Sequence, residues 1–317
     1  MIYSHMSLFH AIFSSVATLL VISVVGFFIL KRKILPEQII QSLSPLVLEV
    51  ALPCLVFYNI VTQFKPLEYA GWYQLPLWWL GFTCCSLLLS ILFRSVARKD
   101  IRREFSMSLF YQNGIFVPVA VLTGMYPGDP THTVNLFLLM MFYPAFIFNT
   151  YSLFFMNRVE KMNWRRTFNS VFIMTVLAIL IRLSGTEVFI PGFMLSMFKM
   201  LGGLTIPLIM IILGGSLYID WHNRSRIHGL EVAKFVGVKN IAYPLIFLGL
   251  IYLVKPPFPV ALLIFIESAV PPISAVPIFI RRAGGNHSVT NFFVVASFVF
   301  SLVSIPIMFI LFSRMYM

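Results

Sequence analysis

Charge is scarce in this chain. Only 11% of its 317 residues are Asp, Glu, Lys or Arg, while 59% are hydrophobic, and the mean hydropathy is +0.91. A water-soluble domain could not bury that much apolar surface, so a lipid bilayer is the expected solvent. Cysteine is scarcer still. Cys54, Cys84 and Cys85 all fall inside apolar runs, which excludes a disulfide framework and a CxxC metal pattern. The aspartates Asp100, Asp129 and Asp220 read as loop residues, so no aspartyl dyad is expected at membrane depth. An HExxH zinc motif and a GxSxG elbow are both absent. An intramembrane enzyme is therefore not expected. The histidines at 5, 10, 132, 222, 228 and 287 fall at loops or span ends, and none pair at metal-ligand spacing. The N-terminus shows neither a basic n-region nor a clear cleavage site, so no removable signal peptide is read.

Apolar length is what the chain has. A spanning helix needs about 20 mostly apolar residues. Ten such spans are predicted, at 8–30, 38–63, 72–94, 104–126, 133–157, 167–184, 190–218, 232–254, 258–280 and 288–312. No long linker separates them, so no soluble domain is expected. The net charge of +12 sits in short clusters between spans, which suits membrane topology better than nucleic acid. One alternating set of loops carries Lys31–Lys33, Arg94–Arg103, Arg158–Arg166, Arg224 with Arg226, and Arg281 with Arg282. The other set carries Lys65 with Glu68, Asp129, Arg182 with Glu187, and Lys255. The positive-inside rule puts the basic set in the cytoplasm and both termini outside a cytoplasmic (inner) membrane.

Prolines suggest an internal repeat. Pro53 and Pro118 are 65 residues apart, as are Pro207 and Pro272, and the two pairs are offset by 154. Applied to Asn113, that offset lands on Glu267. The chain then reads as two five-helix halves, 1–157 and 158–317. An odd number of spans per half makes the second enter the membrane from the opposite side, as in many secondary transporters.

A proline inside a helix costs about 3 kcal/mol. In lipid such a break persists only where protein or a wet cavity satisfies the freed backbone. The prolines of spans two and seven read as kinks. Those of spans four and nine read as breaks that meet near mid-depth, offering helix N-termini to an anion and carbonyl ends to a cation. Asn113, Gly114, Pro118, Pro271, Pro272 and Ser274 are the expected substrate-binding residues. Glu267 is an intramembrane acid, with binding of Na⁺, carriage of a proton, or capping of freed backbone donors all open to it. Gln112 and Ser268 stand beside it as further ion-coupling candidates, and Glu49 as a more distant supporting residue. Lys234 reads as a snorkelling residue and Lys239 as another lysine near the start of span eight. No cofactor is expected beyond Na⁺ or H⁺ as a coupling ion.

The stretches LEVALPCLVF, YQNGIFVPVAVLTG, LGGLTIPLIMIILGGSL and AVPPISAVPIFIRRAGGN, followed by SFVFSLVSIPI, together resemble the auxin efflux carrier family, whose bacterial members are organic-anion permeases. The resemblance implies an all-α fold of ten spans shared with bile acid:sodium symporters. It implies a panel or scaffold domain over 1–66 and 167–220 and a crossover transport domain over 70–157 and 232–312. It also implies carboxylate binding where spans four and nine cross, elevator-type alternating access, and homodimers as a common assembly. Its alternatives are a Na⁺-coupled symporter of bile-acid-like anions and a sensor or scaffold that keeps the fold but moves nothing. The chain departs from many bacterial members in carrying Ser274-Ala275 where they have an asparagine, and in the added Pro277.

Overall fold

The structure is a computed structural model that describes residues 5–66, 71–126, 128–129, 131–150, 154, 170–222 and 229–316. The basic residues Arg158, Lys161, Arg165, Arg166, Arg224 and Arg226, and the end of the fifth span, lie outside these residues. Among the described residues the chain is all helical, apart from one isolated β-bridge. The helices are α1 (His5–Lys31), α2 (Gln38–Leu46), α3 (Leu52–Gln63), α4 (Leu75–Phe93), α5 (Arg102–Phe110), α6 (Phe116–Met125), α7 (Thr131–Leu139) and α8 (Tyr143–Thr150). Then follow α9 (Ser170–Ser184), α10 (Gly192–Gly203), α11 (Thr205–His222), α12 (Gly229–Gly237), α13 (Tyr243–Val254), α14 (Phe258–Ala269), α15 (Val276–Arg282) and α16 (His287–Tyr316).

Among the described residues, five helical runs are long and apolar enough to cross a membrane: Gln38–Gln63, Trp72–Val96, Gly192–Ser216, Gly229–Val254 and His287–Tyr316. They coincide with the second, third, seventh, eighth and tenth expected spans. The fourth, fifth and ninth are broken into shorter helices, the sixth is the 15-residue α9, and the first is the 27-residue α1. Asp220, expected in a loop, instead lies in the last turn of α11. Large apolar side chains such as Leu77, Leu88, Leu92, Phe193, Met200 and Leu253 face outward, as lipid-facing residues do.

Two groups of helices pack internally. In one, α1 lies along α11, and α3 packs on α9 and α10. Small residues set the α1–α11 distance: a Cβ on Gly214 would stand 1.6 Å from the Ser23 carbonyl oxygen, and one on Gly26 would stand 2.3 Å from that of Ile211. Such close backbone approach is how membrane helices gain contact without a hydrophobic driving force. In the other group, α4 packs on α5, α7 and α14, while α12 and α13 pack on α16. Contacts of α1 with α6 and α16 join the groups.

The connecting segments also sort into two sets. Arg98 N–H donates to Glu231 at 3.1 Å, and Asn286 N–H donates to Glu104 at 2.9 Å. Beneath them Phe105, Phe235 and Phe293 form a cluster, with Phe235 and Phe293 stacked at 4.4 Å. The basic segment near 94–103 thus meets the start of α12, and the segment 281–287 meets the start of α5. Elsewhere Arg182 donates to the Phe64 carbonyl at 2.6 Å and pairs with Glu187. Tyr316 donates to Pro256 O at 3.1 Å, His132 lies 6.4 Å from the Phe258 ring, and α7 touches Trp72–Gln74.

Candidate functional site

The fourth span ends its first half at Phe110 and restarts at Phe116, and the ninth ends at Ala269 and restarts at Val276. The chain leaves each first half extended, at Tyr111 and at Val270, turns at 114–115 and 274–275, and the two breaks are hydrogen-bonded to each other. Asn113 N–H donates to Pro271 O at 2.8 Å, and Ile273 N–H donates to Tyr111 O at 2.9 Å. Gln112 and Pro272 face each other between these bonds as an antiparallel bridge.

This pattern explains why two adjacent prolines fit. Pro272 occupies the non-hydrogen-bonded position of the pair, where no N–H is required. Pro271 contributes only its carbonyl. Each proline also drives the residue before it out of the α region, and Val270 accordingly has φ −73° and ψ 151°. Pro118 and Pro277 lie in the first turns of α6 and α15, where a missing N–H removes no helical bond. The breaks therefore precede Pro118 and Pro277 rather than falling on them.

The ends of the broken helices are spaced differently from the prolines. Phe110 and Ala269 are 159 residues apart, and Phe116 and Val276 are 160 apart. The shift from 154 places Asn113 opposite the proline pair, not opposite Glu267. Pro53 and Pro207 also stand in unlike surroundings, one after a π-helical turn and the other after a one-residue break at Leu204.

Glu267 is nonetheless at the crossing. It lies in the last turn of α14 with no solvent exposure, and its Oε1 has no hydrogen-bond partner. Gln112 Nε2 approaches its Oε2 at 3.5 Å, a long contact. Gly114 lies against the same carboxylate: a Cβ there would stand 2.7 Å from Oε2 and 2.1 Å from Met140 Cε. Asn113 is buried, and its Oδ1 also lacks a partner. Buried polar atoms without partners are rare in native proteins and call for an explanation. Ser268 is spent locally, donating to Phe265 O at 2.6 Å. Ser274 is half-buried in the break before α15. Glu49 stands apart: it is exposed on the π-helical turn Val47–Ala51 and accepts from Ser170 at 2.6 Å.

Three residues of the site were not singled out by sequence. Lys239 is fully buried, donates to Ser268 O at 3.4 Å, and sits 4.6 Å from the Tyr243 ring. Asn240, next to it, donates to Ser297 O at 3.0 Å and accepts from Ser297 Oγ at 2.7 Å. Tyr143 donates its hydroxyl to Gln112 O. Its helix α8 begins at a turn around Met140, and Pro144 occupies the second position of that helix. A signal for Lys239 did exist, since KNIAYP repeats the pattern of EVALP: an intramembrane polar residue four or five places before a proline.

The recess lined by Thr83, Ser86, Phe110, Gln112 and Tyr143 has no space for a water molecule. Its chemistry is that of binding, since the pieces are carbonyls, amides, one carboxylate and one ammonium. Among the described residues no group of three His, Cys, Asp or Glu could hold a metal ion.

Among individually curated proteins none matches the chain. A family model described as membrane transport protein matches residues 11–163 and 154–309, nearly the whole length. Its members are transporters rather than enzymes. The crossing, the apolar helices and this match together place the chain in the auxin efflux carrier family of membrane transport proteins.

Proposed function

We propose that the chain carries small organic anions, carboxylates in particular, across the cytoplasmic membrane by elevator-type alternating access. The observation that carries this reading is the hydrogen-bonded crossing of residues 111–113 and 271–273, with the buried Asn113 Oδ1 left without a partner beside it. A helix start offers N–H groups with no intrahelical partner, and α6 begins at the break. In this reading Asn113, Gly114, Pro118, Pro271, Pro272 and Ser274 form the anion site. Glu267, with Gln112 and Ser268, governs its charge, and Glu49 acts from a distance.

The fold read here is ten spans in two inverted halves. Helices α1, α2, α3, α9, α10 and α11 form the scaffold, and the rest move as the transport body. The mutual packing within each group supports that division. The contacts that the basic segments make at the starts of α12 and α5 support placing those helix starts in the cytoplasm and the termini outside.

Energetically, one charge moved through 100 mV gives about 2.3 kcal/mol, so about 150 mV sustains a roughly 300-fold anion gradient. Membrane potential alone therefore suffices for export. Purified protein in liposomes, loaded with a panel of radiolabelled mono- and dicarboxylates, tests the proposal. Potential-dependent efflux that Asn113→Ala weakens is the expected result. Saturable binding with no flux would instead favour a sensor or scaffold, and neither binding nor flux would end the anion reading.

A further inference from the structure

We propose that the Lys239 ammonium stands where a coupling cation would otherwise sit, so that this chain binds its ligand without sodium. The inference rests on the crossing being the ligand site, but it concerns only the ion.

The place is one a monovalent cation would choose. The C-terminal end of α14 supplies carbonyl oxygens and the negative end of a helix dipole, and Glu267 supplies a carboxylate. Lys239 already reaches the carbonyl end of it. Its Nζ reaches Ser268 O at 3.4 Å, and the Tyr243 ring lies against the same nitrogen at 4.6 Å.

This lysine does not snorkel. Lys234, five residues earlier, is partly exposed and pairs with Glu231 at 2.8 Å. Lys239 lies deeper and has no exposure. Its main chain is held inward by the π-helical turn Val238–Ala242 and by Asn240, which is tied to Ser297.

A tethered ammonium and a bound Na⁺ cannot share this space, because like charges repel strongly at short range in a site without water. The tether also answers a problem of charge. An organic anion entering beside an uncompensated Glu267 would meet its own sign. With Lys239 present, the resident pair is neutral before the ligand arrives, and no ion has to accompany it.

The test measures melting temperature of the full chain in detergent, in NaCl, KCl or choline chloride at equal ionic strength. Wild type should melt at the same temperature in all three. Lys239→Met should gain a saturable response to Na⁺, a rise of roughly 5 °C at a hundredfold excess over its Kd. Lys239→Met with Glu267→Gln should lose that response. Should the methionine variant not fold, Lys239→Ser leaves more room and adds an oxygen ligand, and the same gain is expected of it.

A saturable Na⁺ response in wild type that Glu267→Gln removes would overturn the proposal, as would folded Lys239 variants indifferent to Na⁺. The measurement needs no transported ligand. A chain that moves no carboxylate would refute the transport reading and leave these melting curves to judge the lysine alone.

Discussion

Gly114→Ala tests the geometry of the crossing with a single methyl group. The added Cβ would stand 2.1 Å from Met140 Cε and 2.7 Å from Glu267 Oε2. Ordinary contact begins at 3.4 Å, so Met140 must retreat by about 1.3 Å and the carboxylate by about 0.7 Å. The methionine end is flexible and yields at little cost. The carboxylate is fully buried, and its contact with Gln112 is already 3.5 Å.

Overpacking of this kind costs about 1–3 kcal/mol. The φ of Gly114 is not positive, so alanine fits the backbone and recovers about 0.4–1 kcal/mol through the unfolded chain. A net loss of about 1–2 kcal/mol should lower the melting temperature in detergent by roughly 2–4 °C. Met140→Ala separates the two clashes. In that background the added methyl has space where Cε was, and any destabilisation that remains reports the push on Glu267. Wild-type melting of Gly114→Ala in both backgrounds would show that the carboxylate does not lie against Gly114, and the account of the site would fall with it.

Other substitutions probe the remaining parts. Asn113→Ala removes a buried acceptor that has no partner, so the melting temperature should hold or rise slightly while affinity for the best carboxylate in a binding screen falls about tenfold. Gly214→Val should abolish folded protein on size-exclusion chromatography, since even a Cβ would meet the Ser23 carbonyl at 1.6 Å. Gly203→Val, with open space around it, should elute as wild type. Phe105→Ala opens the aromatic cluster beneath the basic segments and should cost about 3–5 kcal/mol, read as a melting shift of roughly 6–10 °C.

Much of this was legible in the sequence, for reasons of solvent. In a bilayer a helix must be long and apolar, so hydropathy finds it, and the five longest apolar runs of helix fall where the sequence puts them. The breaks at 111–115 and 270–275 were legible too, because Asn-Gly and Pro-Pro are poor helix material. Their pairing was not, since a β-bridge of one residue has no periodicity to read. Register was the weak point. Prolines marked the neighbourhood of each break but not the same position within it, which is why an offset of 154 paired Asn113 with Glu267 while the helix ends are 159 and 160 apart. The turn at Met140 went unseen because Pro144 sat in an otherwise ordinary apolar run.

Lys239 was missed for a more instructive reason, which also accounts for Glu49. Pro53 and Pro244 each lack the N–H that would bond four residues back, and each ring would collide with that carbonyl. The helix responds in the same way twice. The residue before each proline bonds five back instead, Leu52 to Val47 O and Tyr243 to Val238 O, making a π-helical turn in an otherwise continuous helix. Such turns recur at functional sites because the widened turn re-aims its side chains. Here one turn carries Glu49, and the other buries Val238, Lys239 and Asn240 in succession, a run that regular α-helical periodicity would have turned partly toward lipid. A search for prolines as breaks therefore finds the crossing. A search for prolines as the cause of π turns, with a polar residue four or five places upstream, finds the ammonium that balances it.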